Sequence, residues 1–171
     1  AGVLVARTMH VKQGRFDEVS ASRVSEAEYI ERISRLEPKA GDVIFTREAP
    51  VGEAFVIPIG MRICLGQRVM LLRPNKDVLN PDYLVAQVYS GAVSQKIKLL
   101  TGGTTNPHLN VAEVRKLELP LPPVVEQEAI IRSLVGADAR LDSEQETLAK
   151  LQQLKRGLSH DLLTGRVRVR V

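Results

Sequence analysis

At 171 residues, 44% hydrophobic and 26% charged, the chain has the composition of a soluble folded protein and is long enough for one compact domain plus an extended element. Its formal charge of +4 is compatible with a polyanionic partner without singling one out. One cysteine, Cys64, excludes an intramolecular disulfide and a cysteine-based zinc cluster, and no apolar run approaches the roughly 20 residues of a membrane span, so a cytoplasmic location with no membrane partner is expected.

The chain opens on an apolar run, Val3-Leu4-Val5, without the charged start, apolar stretch and cleavage site of a signal peptide, and reads as an excerpt. Up to about residue 120, short β-like runs alternate with turn residues. Gly41-Asp42-Val43-Ile44-Phe45-Thr46 and Val69-Met70-Leu71-Leu72 are predicted strands, punctuated by Gly52, Pro58, Gly60 and Pro74. Short helices fit between strands, because Ser25 with Glu28 and Asn110 with Glu113 have capping-box spacing, and Asn80-Pro81 sets a cap before a first-turn proline. The first part is therefore α/β or α+β.

After Leu119-Pro120-Leu121-Pro122-Pro123, a stiff extended linker, the periodicity changes to that of a long helix. Ile130, Leu134, Ala137, Leu141, Glu144, Leu148, Leu151, Lys155, Leu158 and Leu162 follow steps of four and three, a coiled-coil seam broken only by Glu144 and Lys155. A helix over 126–163 is a rod of roughly 57 Å, too long to pack wholly on so small a domain, so another helix is expected to cover it. Gly165 is a stop signal. Gly136 and Gly157 each cost about 1 kcal/mol inside a helix and mark either a close crossing or a bend.

Catalytic chemistry is hard to find. Asn80-Pro81-Asp82-Tyr83 is similar to the Asn-Pro-Pro-Tyr segment with which amino-methyltransferases hold a flipped base, but its second proline is an aspartate and no Gly-rich cofactor loop precedes it. A capped helix start explains it. Asp42, Asp82 and Glu113 lack the Glu-x-Lys spacing of a restriction nuclease, and Gly102-Gly103-Thr104-Thr105 lacks Walker spacing and its Gly-Lys-Ser/Thr ending. His10, His108 and His160 are dispersed, so no metal site is expected, and Cys64 among apolar neighbours reads as an inert buried thiol. No cofactor is expected.

Four blocks carry a family resemblance: GDVIFTREAPVGEAFVIP, CLGQRVMLLRP, GGTTNPHLNVAEVRKLELPLPPVVEQEAI and KLQQLKRGLSHDLLTGRVRV. In this order they resemble type I restriction-modification specificity (S) subunits over most of residues 41–170. The resemblance implies a target recognition domain over residues 1–120, with its usual opening segment missing, a conserved spacer and dimerisation helix over 121–165, and a basic tail over 166–171. It further implies a non-catalytic specificity module that reads double-stranded DNA. The implied partners are S-adenosylmethionine-dependent methyltransferase (modification) subunits, restriction subunits, and a second S half or a second copy, because a complete S subunit carries two recognition domains and two helices packed antiparallel. The alternative is a protein-interaction adaptor that uses the helix and has little DNA affinity.

DNA-contacting groups are sought where loops held by a rigid sheet reach base edges or phosphates. Thr104, Thr105, Asn106 and His108 lie in one such loop, where glycines permit close approach, hydroxyls can bond phosphate and Asn106 can read adenine. The other reading is a tight structural loop whose side chains satisfy its own backbone. Arg7, Lys12, Arg15, Arg47, Lys96 and Lys98 form a basic set, individually ordinary surface residues and collectively a candidate contact surface. The alternating tail Arg166-Val167-Arg168-Val169-Arg170-Val171 could add to a sheet edge, touch phosphate or fray. For helix pairing the candidates are Ile130, Leu134, Leu141, Leu148, Leu151, Leu158 and Leu162.

Overall fold

A computed structural model describes residues 2–103 and 105–169. The chain divides into two compact units, Ala1–Ile131 and Arg132–Val171.

The first unit is mixed α/β. Strand β1 (Val3–Ala6) pairs antiparallel with β4 (Arg23–Val24) and parallel with β7 (Ile63–Leu65). A hairpin of β2 (Val11–Lys12) and β3 (Arg15–Phe16) lies between them in sequence. An antiparallel sheet has the order β6 (Val51–Val56), β5 (Val43–Arg47), β8 (Val69–Leu72). The helices are α1 (Glu26–Arg32), α2 (Pro81–Ser90), α3 (Ala92–Thr101) and α4 (Val111–Arg115).

Strand β5 explains the architecture. Its run of apolar residues is unbroken because both of its faces are covered, as period-2 side chains require of a core strand. Ile44 packs with Leu4, Val11, Phe55, Ile57 and Ile63, whereas Val43 and Phe45 pack with Leu84 and Val88 of α2, Val93 and Ile97 of α3, and Val114 of α4. The strands predicted at 41–46 and 69–72 are β5 and β8, and Pro58, Gly60 and Pro74 lie outside strands as expected. Gly52 instead sits inside β6 in a left-handed conformation (φ +83°), beside the register shift in the β5–β6 pairing.

The helix starts also follow the sequence. Ser25 Oγ accepts from the Glu28 N–H, Asn110 and Glu113 form a reciprocal capping box, and Asn80 Oδ1 accepts from the Asp82 and Tyr83 N–H groups. Asn80 thus caps α2, as the structural reading of the Asn-Pro-Asp-Tyr segment expects. Cys64 is buried, its thiol pushed up by burial, and His10 is buried against the Val5 carbonyl and the edge of Phe16.

Helix α5 (Val124–Leu163) begins two residues earlier than the periodicity placed it. Its first turn is fixed to the first unit by Gln127, which is fully buried. The Asn80 N–H donates to Gln127 Oε1 at 2.8 Å, and Nε2 donates to the Val78 and Pro122 carbonyls at 2.9 and 2.7 Å. This matches the amide's donors and acceptor to the open backbone groups around it.

The second unit is the remainder of α5 and its end. Gly165, at φ +71°, closes the helix in a left-handed cap, its N–H donating to the Leu162 carbonyl. Arg166 lies 3.7 Å from Asp161, and residues 166–169 form no strand; Arg170 and Val171 lie outside the described residues. No helix is long and apolar enough to cross a membrane among the described residues.

Candidate nucleic-acid interface

Several loops converge at one end of the β6-β5-β8 sheet because of its register. Arg47 at the end of β5 faces Val51 at the start of β6, and Thr46 faces Val69 at the start of β8. The loops 48–50 and 66–68 therefore meet there. Loop 102–109 joins them through the Leu109 N–H, which donates to the Arg47 carbonyl at 2.9 Å, and through a bridge between Glu48 and His108. Arg7 arrives from β1, since the Gly66 N–H donates to the Ala6 carbonyl at 2.8 Å.

The β2–β3 hairpin is tied to β6 at Glu53 and, through Tyr89, at Ala54. Its turn residues Gln13 and Gly14 have φ of 51° and 76°, the left-handed pair of a two-residue hairpin turn. Lys12 and Arg15 flank that turn as a register pair, and both are exposed. The Gln13 N–H donates to Glu53 Oε2 at 2.8 Å, and the Gly14 N–H donates to the Tyr89 hydroxyl at 2.9 Å. Burial, opposed by backbone hydrogen bonds and reinforced by the Glu53 carboxylate, pushes the Tyr89 phenol up to about 12, so it stays a neutral donor. That hydroxyl donates toward Glu53 Oε2 at 2.8 Å and accepts from the Ala54 N–H at 3.0 Å, covering the outer edge of β6.

The basic candidates from the sequence therefore divide. Arg7 lies beside the 66–68 loop at this end of the sheet and the exposed Thr105, Asn106 and His108 belong to the loop joined there, whereas Lys12 and Arg15 flank a turn tied to Glu53 of β6; Thr104 lies outside the described residues. Lys98 sits in the last turn of α3, next to Ile97, whose side chain approaches Gly52. Arg47 is half-buried and donates to the Leu109 carbonyl at 3.3 Å, so its guanidinium supports loop 102–109 from below. Lys96 lines a different groove with Leu100, Glu113, Arg115, Lys116 and Glu118, a mixed-charge wall.

Arg68 was not among the candidates from the sequence. It stands in the 66–68 loop at φ +65°, 57% exposed, 3.3 Å from Glu48. A long polar side chain in a left-handed conformation is unusual, and the Gly-Gln-Arg turn before β8 was the available signal. Glu53 and Tyr89 were missed as well, since the bonds that join them to each other and to the hairpin turn span 36 to 75 residues of chain.

On α5, Ile130, Leu134, Leu141, Leu148, Leu151, Leu158 and Leu162 are exposed, at 36–57%. Leu154, beside the seam break at Lys155, is 67% exposed and continues the apolar line from Leu151 to Leu158. Among the described residues no group of three His, Cys, Asp or Glu side chains is placed to hold a metal ion.

The sequence matches the family of type I restriction modification DNA specificity domains over residues 10–153. The chain belongs to that family. A Methanocaldococcus jannaschii protein named as a candidate MjaX type I restriction enzyme specificity subunit is 26% identical over 129 residues, 75% of this chain and 29% of the relative. The MjaVIII specificity subunit of the same organism is 22% identical over 155 residues, 84% of this chain and 35% of the relative. In fold, the HsdS subunit from Thermoanaerobacter tengcongensis is similar with a TM-score of 0.72 at 19% identity, over 92% of this chain and 41% of that one. A chain from a type I R-M system structure gives a TM-score of 0.73 at 19% identity with the same coverages. This specificity-domain chain thus spans 29–41% of the length of these relatives.

Proposed function

We propose that this chain recognises double-stranded DNA as one half of the reading apparatus of a type I restriction-modification specificity subunit and performs no chemistry itself. The observation that carries the reading is the convergence of Arg7, Arg68 and loop 102–109 on one end of a rigid sheet, with the exposed Lys12 and Arg15 on a hairpin tied to β6 of that sheet. Cations there offset phosphate charge, and Asn106, Thr105 and His108 offer side chains of the kind that reach base edges. Target recognition is assigned to residues 1–120, spacing and pairing to 121–165, and an accessory contact to the basic tail.

The exposed seam of α5 supports pairing with a second S half or a second copy of this chain. Glu144 and Lys155 can meet as Glu–Lys pairs in an antiparallel arrangement centred between residues 149 and 150, which also separates the two recognition units. Modification and restriction subunits are the proposed further partners, supplying methyl transfer and cleavage.

Retention of the purified chain on duplex DNA tests the DNA reading. Affinity should fall steeply as salt rises, because bound phosphates release counterions. Partner capture with no retention at low salt would favour an adaptor instead. Incubation with duplex DNA, Mg²⁺ and labelled S-adenosylmethionine should give neither cleavage nor methylation, and turnover that survives further purification would overturn the non-catalytic part.

A further inference from the structure

We propose that Glu53 and Tyr89 are positioning residues that latch the β2–β3 hairpin, so that Lys12 and Arg15 are presented to the DNA backbone as a preset pair. This rests on the DNA-binding reading above. The hairpin is short, each strand being two residues, and a two-stranded ribbon of that size has little stability of its own. What holds its tip is the pair of bonds from consecutive backbone N–H groups, Gln13 to Glu53 Oε2 and Gly14 to the Tyr89 hydroxyl, at 2.8 and 2.9 Å. Glu53 and Tyr89 are themselves joined at 2.8 Å, and Tyr89 is anchored on the backbone of Ala54, a fully buried residue of β6. The Thr46 hydroxyl accepts from the Glu53 N–H at 2.9 Å and ties the latch to β5. The turn is thereby fastened to the sheet whose end carries the converging loops.

The placement of an acid is informative. A carboxylate beside Lys12 and Arg15 repels DNA, so on charge alone Glu53 is unfavourable at a DNA-binding face. Its acceptor geometry supplies the compensating role, because a fixed hairpin loses less conformational freedom when its cations meet phosphate. Two variants separate charge from geometry. Glu53→Gln and Glu53→Ala remove the same charge, and only the first keeps an oxygen that can accept from Gln13.

The 171-residue chain is titrated with a mixed-sequence duplex at low and moderate salt. Glu53→Gln should bind at least as tightly as wild type. Glu53→Ala should bind about five- to tenfold more weakly than Glu53→Gln, with the salt slope reduced by roughly one to two, the loss of one or two phosphate contacts. In a Lys12→Ala/Arg15→Ala background the two Glu53 variants should bind alike, a non-additivity that a purely structural role would not produce. Tyr89→Phe, which keeps the Glu53 charge and loses the acceptor for Gly14, should bind more weakly than wild type, with thermal melting as the check that each variant is folded. Equal binding by Glu53→Gln and Glu53→Ala with Lys12 and Arg15 present would overturn the latch while leaving the DNA reading intact. A wild-type chain that does not bind duplex at low salt would refute the DNA reading and the latch with it.

Discussion

In the first unit Ile44, Phe45 and Ile63 are exposed by no more than 1%, whereas on α5 Leu141, Leu148 and Leu151 are more than half exposed. Similar apolar side chains are thus disposed of in opposite ways. The β5 strand finds a sheet on one face and helices on the other within its own unit, while the seam of α5 is a stripe with no covering surface among the described residues of its own unit. The first unit closes on its own core, whereas the stripe on α5 stays exposed within its own unit. A row of exposed leucines this long is costly in water, at about 1.5 to 3 kcal/mol for each one that burial would rescue.

The largest effect is expected from spoiling the stripe without touching the core. Leu148→Asp with Leu151→Asp places two charges at the centre of the proposed antiparallel pair, and symmetry doubles the loss in a dimer. Association should weaken by at least roughly a thousandfold, given the leucine burial values. The first unit should melt unchanged. Sedimentation equilibrium on wild type and variant decides it, and a wild-type chain that stays monomeric at high micromolar concentration without a second S half refutes self-association.

The converse experiment damages the closed unit and leaves the stripe alone. Asp42 is buried beneath Arg73, which donates to its carboxylate at 2.8 and 2.7 Å, and the Lys39 N–H donates to it at 2.8 Å. Burial alone would raise this carboxyl, but the Arg73 guanidinium and the Lys39 N–H outweigh it and hold it below the ordinary carboxylate range. A depressed folded value contributes stability that is present above the unfolded value of about 3.9 and is lost as pH falls through the folded one. Arg73→Ala should cost about 2 to 3 kcal/mol at pH 7, less than a fully buried pair because Arg73 itself is part-exposed. Since the orphaned carboxylate then favours protonation, the gap between wild type and variant should narrow below about pH 4 in thermal melts. Gln127→Ala should cost about 2 kcal/mol by leaving the Asn80 N–H and two carbonyls unpaired, and Gln127→Glu should not restore it because the amide donors are gone.

These two residues also show what was readable beforehand. Caps and core strands were legible because their information is local: Asn110 meets Glu113 three residues on, and the run at 43–46 reads as a strand. Gln127 and Arg73 lay inside the blocks that carry the family resemblance, yet their jobs depend on Asn80 and Asp42, which lie 47 and 31 residues away. The Glu53–Tyr89 pair is hidden for the same reason, and Arg47, proposed from the sequence as a phosphate contact, is partly occupied by the Leu109 carbonyl. Periodicity made the α5 seam plain, including its breaks at Glu144 and Lys155. Leu154 escaped because a strict heptad steps over it.

The smallest expected effect sharpens the register of pairing. Nothing lies within 4 Å of where a Cβ would stand on Gly136 or Gly157, so within one chain alanine is free of clash at either site. Each glycine weakens the helix by about 1 kcal/mol relative to alanine, and Gly157→Ala should raise the thermal stability of α5, read by helical circular dichroism, accordingly. The effect on association depends on what faces the glycine. In an antiparallel pair centred between residues 149 and 150, Gly157 lies level with Asp142 of the partner subunit and Gly136 level with Leu163 of the partner subunit. Neither glycine then meets another, and sedimentation equilibrium should show association unchanged in Gly136→Ala/Gly157→Ala. A centre between residues 146 and 147 would instead bring Gly136 level with Gly157 of the partner subunit at both ends, where two backbones could approach closely. Alanine at both positions would then push the helices apart and weaken the dimer while still raising single-chain helicity. Opposite signs in the two measurements would therefore discard the Glu144–Lys155 register and replace it with one centred on the glycines.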